Sequence, residues 1–99
     1  MLYLRICFDA PGMGERRDEI RATHRTYLKP FVDRGQLVRI IQAGPMCISD
    51  TDGTNLGSFL IVEAPSLAAV QRFHNEDPFT KAGIYDRVDL LRWDRHIGN

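Results

Sequence analysis

The sequence has little of what marks the commoner functional classes. Its 13 basic and 13 acidic side chains cancel to a formal net charge of zero. A protein that neutralises nucleic-acid phosphates needs a basic excess or stripe, so no nucleic-acid partner is expected. No stretch approaches the roughly 18 consecutive apolar residues of a membrane span, so no membrane association is expected either. Met1 runs directly into Leu2-Tyr3-Leu4-Arg5-Ile6, without a basic segment ahead of an apolar one, and the expectation is a cytoplasmic protein without a secretory leader. Only two cysteines occur, Cys7 and Cys47, in neither a CxxC nor a zinc-ligand spacing. They are expected to be reduced core thiols. There is no GxGxxG or Walker loop, no HExxH and no GxSxG elbow. Tight nucleotide binding and serine-hydrolase chemistry therefore lack support.

What is present is an ordinary globular balance, 43% hydrophobic and 26% charged, over 99 residues. That length is one domain, residues 1–99, with no repeat, linker or low-complexity segment. A chain this short buries only roughly 60–70% of its unfolded surface, so sheet faces left open will seek a partner.

Leu2 to Phe8 alternates with period two and reads as a strand, broken by Asp9-Ala10-Pro11-Gly12. A helix is predicted from about Gly14 to Arg34, with Ile20, His24, Tyr27, Leu28 and Phe31 on one face. Pro30 predicts a kink or break near Lys29, and Gly35 a C′ residue. Leu37 to Ala43 is a second strand, ending at Gly44-Pro45, and Leu56 to Glu63 a third, apolar enough to be central. Ser66 is the predicted N-cap of a second helix that stops at Asp77-Pro78, and Ile84 to Trp93 is the last strand.

The order is βαββαβ, an α+β ferredoxin-like pattern with two helices on one face of a four-stranded antiparallel sheet. The other face has no helix to cover it, yet its strands carry apolar residues on both sides. A second copy of the chain is the simplest cover, so a homodimer is expected. Trp93 should be largely buried against the sheet or that partner.

His24 lies in the middle of the apolar stripe of the first helix. It reads either as a core histidine held by a backbone carbonyl or as a functional one. His74 reads as a core residue and His96 as solvated. Asp77 before Pro78 is a favoured N-cap for a short helical turn, and a capping carboxylate keeps a second oxygen for another role. Arg5 sits in a central strand, so its charge is either paired, with Asp89 as a candidate, or turned toward an anion. One His and one Asp without a positioned nucleophile suit proton transfer better than covalent catalysis.

These residues resemble the YciI-like proteins nearly end to end. The resemblance rests on Arg21-x-x-His24-x-x-Tyr27-Leu28, on Gly35 followed by Leu37, on Gly44-Pro45 and on Gly57-Ser58. Its most specific stretch is Asp77-Pro78-Phe79-x-Lys81-Ala82-Gly83-Ile84-Tyr85, followed by Val88 and Trp93. Pro30 and the charged Arg5 are less typical. The resemblance implies a dimeric α/β barrel, similar in fold to muconolactone isomerases. It implies a His–Asp pair at His24 and Asp77, in a family where one relative removes chloride from a chlorinated hydroxyquinol. The expected function is then cofactor-free, metal-free proton transfer on a small oxygenated or aromatic-derived ligand, by isomerisation or elimination. Arg5, Tyr27 and Phe79 are the expected substrate-binding residues. The alternatives are a non-catalytic metabolite-binding or accessory module, and a purely structural dimerisation domain.

Overall fold

Alternation in the first strand has a physical consequence that sets up everything else. In the computed structural model, which describes residues 1–98, Tyr3, Arg5 and Cys7 are buried, while Leu2, Leu4, Ile6 and Phe8 on the opposite face are half-covered. The elements are β1 (Leu2–Asp9), α1 (Gly14–Leu28), a 3-10 turn (Lys29–Val32), β2 (Arg39–Cys47), β3 (Asn55–Glu63), α2 (Leu67–Glu76), α3 (Pro78–Lys81) and β4 (Tyr85–Trp93). The sheet order is β2-β3-β1-β4 with every neighbouring pair antiparallel. This is the expected ferredoxin-like α+β architecture.

Local signals explain most boundaries. Pro30 stands near the start of the 3-10 turn, where the α-helical bonding of α1 gives out at Leu28. Ser66 caps α2, its side chain accepting from the Ala69 N–H at 3.2 Å. Gly57 must be glycine, because a Cβ there would collide with the carbonyl oxygen of Cys7 on β1. Strand β2 differs from expectation at both ends, starting at Arg39 rather than Leu37. It does not stop at Gly44-Pro45 but continues to Cys47. It is an edge strand paired only with β3, so the missing N–H of Pro45 breaks no interior ladder. The extension leaves Cys47 exposed, so only Cys7 is a core thiol.

The core lies between the sheet and both long helices. Tyr3, Ile40, Leu60 and Val62 pack beneath Ala69, Val70 and Phe73, with Tyr27, Leu28 and Phe31 around them. Phe31 meets Phe73 edge-on at 4.9 Å, and Tyr27 stacks against Phe73 at 5.7 Å. Such pairs contribute roughly 0.5–1.5 kcal/mol beyond their buried area. Among the described residues no helix covers the other sheet face. There Leu4 stands between Ile61 and Leu91, and Ile6 beside Phe59. Leu91 is 50% exposed. Trp93, opposite Leu2 on that face, is half-buried, with the Arg95 guanidinium 5.2 Å from its ring centroid. Among the described residues no helix is long and apolar enough to cross a membrane.

Candidate active site

Asp77 is placed by backbone chemistry. Pro78 pushes the preceding residue into extended backbone (φ −64°, ψ 128°) between α2 and α3. From there its Oδ1 accepts from the Phe79 N–H at 2.9 Å, the predicted N-cap. The same carboxylate does more than cap. Oδ1 is 2.7 Å from His24 Nδ1, and Oδ2 is 2.8 Å from Arg5 Nη1. The Arg5 contact is off the line of an aligned hydrogen bond and acts as a charge pair. Both partners of that pair are 0% exposed. Burial would push the Asp77 carboxyl up, but the hydrogen bond from His24, the Arg5 charge and the Phe79 N–H together outweigh it. The carboxyl titrates below its ordinary range.

Arg5 is paired, but not with Asp89. On β4 the residue opposite Arg5 is Leu90, and Asp89 stands opposite Ile6, so its side chain leaves the sheet on the other face. Asp89 instead meets Arg87 at 3.2 Å. Arg5 Nη2 donates to Thr80 Oγ1 at 3.5 Å. Its guanidinium also lies 5.4 Å from the Phe73 ring centroid and 5.7 Å from that of Tyr85.

His24 reaches Asp77 from the fourth turn of α1, with its ring stacked on Phe79 at 3.8 Å and 10°. An ionised Asp77 holds the proton on Nδ1, so in the neutral imidazole Nε2 is an acceptor. Nε2 makes no hydrogen bond among the described residues. The ring borders a cleft of about 460 Å³ between α1 and the β2–β3 end of the sheet, shared with Arg17, Arg25, Ser58 and Phe79.

The five candidates therefore separate. His24 and Phe79 line the cleft, and Asp77 and Arg5 stand behind them. Tyr27 is turned into the core, where its hydroxyl donates to the Phe73 carbonyl at 2.8 Å and burial pushes it up to about 12. His74 is the expected core histidine, driven down to about 4 by burial and then by the Arg5 charge. His96 is exposed beside Asp94.

Sequence reasoning missed Arg17. It precedes His24 by seven residues, two helical turns, so it shares the inner stripe of α1. It is the only residue of that helix to be buried. The spacing was available, but an arginine does not register in an apolar periodicity. Among the described residues, no three His, Cys, Asp or Glu side chains come together as a metal site would need.

Comparison with known proteins gives the family and the fold. The YCII-related domain matches residues 1–94. Protein YciI of Escherichia coli O6:H1 is 33% identical over 94 residues, covering 91% of this chain and 93% of that protein. An uncharacterised Haemophilus influenzae protein is 28% identical over 92 residues, covering 89% and 91%. Among solved structures, the 5-chloro-2-hydroxyhydroquinone dehydrochlorinase of Burkholderia phenoliruptrix AC1100, in complex with 2,5-dihydroxybenzoquinone, is 37% identical. It superposes with a TM-score of 0.81 over 95% of this chain and 94% of that one.

Proposed function

The chain belongs to the YCII-related domain family, and from that premise we propose that it is a small-molecule enzyme in which His24 is the general base and Asp77 its partner. The observation that carries this is the 2.7 Å contact between His24 Nδ1 and a fully buried, low-titrating Asp77, at the wall of an open cleft. Asp77 fixes the tautomer and orients the ring, and the Arg5 charge keeps Asp77 ionised. Nε2 then takes a proton from an O–H or C–H of a small oxygenated or aromatic-derived substrate. The electron pair left behind either shifts a double bond, with Nε2 returning the proton at another carbon to complete an isomerisation, or expels a leaving group with its bonding pair. With chloride leaving, proton and chloride depart as HCl overall. A positioned base of this kind contributes roughly 10²–10⁴-fold. The likeness to a dehydrochlorinase supports the elimination branch.

The protein works as a homodimer in this reading. The helix-free sheet face, with Leu4, Ile6, Phe59, Ile61, Leu91 and Trp93, packs against a second copy to complete a dimeric barrel. A stable interface of this kind buries at least roughly 1,200–2,000 Å² in total. Sedimentation at micromolar concentration should show a dimer, and a stable monomer refutes that part.

The test of the chemistry is incubation with 5-chloro-2-hydroxyhydroquinone, following chloride release, alongside an unsaturated lactone, following isomerisation. Wild type should turn over one of them, and His24→Asn should lose the activity by about 10²-fold or more while keeping its fold. Saturable binding without turnover would replace the enzyme by a metabolite-binding module that uses the same cleft.

A further inference from the structure

Helix α1 turns an unusual stripe toward the sheet. A helix on a core normally buries apolar residues at three- and four-residue spacing. Here the N-terminal part of that stripe reads Arg17, Arg21, His24, with Arg25 beside it, and all four border the cleft. Among the described residues no carboxylate side chain borders it. Arg21 is answered on the outside by Asp18 at 2.7 Å, and Arg25 meets no carboxylate among the described residues.

Arg17 is the informative one. It is 6% exposed, and its guanidinium lies 4.6 Å from the Phe79 ring centroid, on the aromatic that also stacks on His24. Its nearest carboxylate is Asp9, whose Oδ2 is 3.4 Å from Nε and out of line for a hydrogen bond. Nη1 has no hydrogen-bond partner among the described residues. Buried donors of a charged group are costly to leave unpaired, and an acceptor entering from the cleft that Arg17 borders would relieve that cost.

We propose that the cleft selects a small organic anion with its charge on oxygen, a carboxylate or an acidic enolate, and that Arg17 is the residue that receives that oxygen, with Arg25 at the rim. This deepens the reading of His24 as base and rests on the same cleft. An anionic oxygen held at Arg17 is placed beside the His24–Phe79 stack, where Nε2 is free. Arg17 there stabilises both the bound anion and the further charge that develops as Nε2 withdraws a proton.

The test uses benzoate and its neutral isostere benzamide, titrated calorimetrically into the wild-type protein at low salt. Benzoate should bind about tenfold or more tightly than benzamide, and added salt should narrow the gap. Arg17→Gln should cost benzoate about tenfold and leave benzamide unchanged. Arg25→Gln, at an exposed position that tolerates change, should lower benzoate affinity by a few-fold with an unaltered melting temperature, and serves if Arg17→Gln does not fold. Arg16→Gln, whose side chain instead pairs with Glu19 on the helix surface, should bind as wild type. Equal binding of the two probes, no saturable benzoate binding, or Arg17→Gln and Arg25→Gln indistinguishable from wild type overturns the proposal. His24→Asn separates the two readings. If it still distinguishes benzoate from benzamide while wild type turns over no substrate, the anion site stands and the catalytic reading falls.

Discussion

The two ends of helix α1 do opposite work. Past His24 the inner stripe becomes Tyr27 and Leu28, then Phe31 in the 3-10 turn, all packed against the core, with Leu28 also reaching the cleft. Before it come Arg17 and Arg21, facing a cleft rather than the core. One continuous helix thus uses its C-terminal half as a foundation and its N-terminal half as a binding wall, with His24 at the junction. A perturbation of the foundation should change stability and leave the intrinsic chemistry of surviving molecules intact. A perturbation of the wall should do the reverse. Rigid elements hold chemical groups more closely in place than loops do, and here the helix that holds them is anchored by its other end.

The largest expected effect tests the foundation. Phe73→Ala removes the aromatic that Tyr27 and Phe31 both touch. It should destabilise the protein by about 3–5 kcal/mol in urea unfolding. A loss under about 1 kcal/mol would mean that the C-terminal half of α1 is not anchored there.

Asp77→Asn should come next, and it crosses the division. It preserves a capping acceptor but leaves the Arg5 guanidinium buried without its counter-charge. Removing one partner of a buried pair costs about 3–5 kcal/mol, an upper range here because the amide still accepts. Combining it with Arg5→Leu should recover part of that stability without restoring activity. If the double variant is no more stable than Asp77→Asn, the pair is not the reason for the loss.

Tyr27→Phe is smaller. It deletes a hydroxyl that donates to the Phe73 carbonyl at 2.8 Å and keeps the ring. About 1–2 kcal/mol of stability should go, with kcat unchanged. A drop in kcat at unchanged stability would instead put Tyr27 with the site residues.

What the sequence made legible follows the same division. The break before Pro30, the Ser66 cap and the Asp77 cap are local rules written in single residues, and each is where expected. The apolar stripe marked the foundation half of α1 because apolar periodicity is what such patterns detect. The wall half was illegible for that reason, since Arg17 reads as a surface charge until its burial is seen. The pairing of Arg5 with Asp77 rather than Asp89 needed the register of β4 against β1, which a one-residue offset decides. The length of β2 depended on its being an edge, a property of the whole sheet.

The smallest effect is seen in acid, where the two carboxylates beneath the wall half should behave oppositely. Asp77 titrates below its ordinary 3.8 in the folded protein, chiefly because the His24 hydrogen bond and the Arg5 charge overcome burial. The folded state therefore binds this proton less readily than the unfolded chain. Asp77 contributes stability above about pH 4, and that contribution is lost as pH falls through the folded value. Asp9 is shifted the other way, because burial outweighs the Arg17 charge. Its contribution is present below pH 3.8 and is lost as pH rises through its raised folded value. Urea unfolding from pH 3 to pH 6 should then show two departures from wild type. The stability deficit of Asp77→Asn should shrink toward acid. Asp9→Asn, which cannot ionise, should gain on wild type as pH rises through the same window. Parallel curves for Asp77→Asn and wild type would mean that the carboxylate gains nothing from its partners. The wall of the cleft would then lack the ionised anchor on which the orientation of His24 depends.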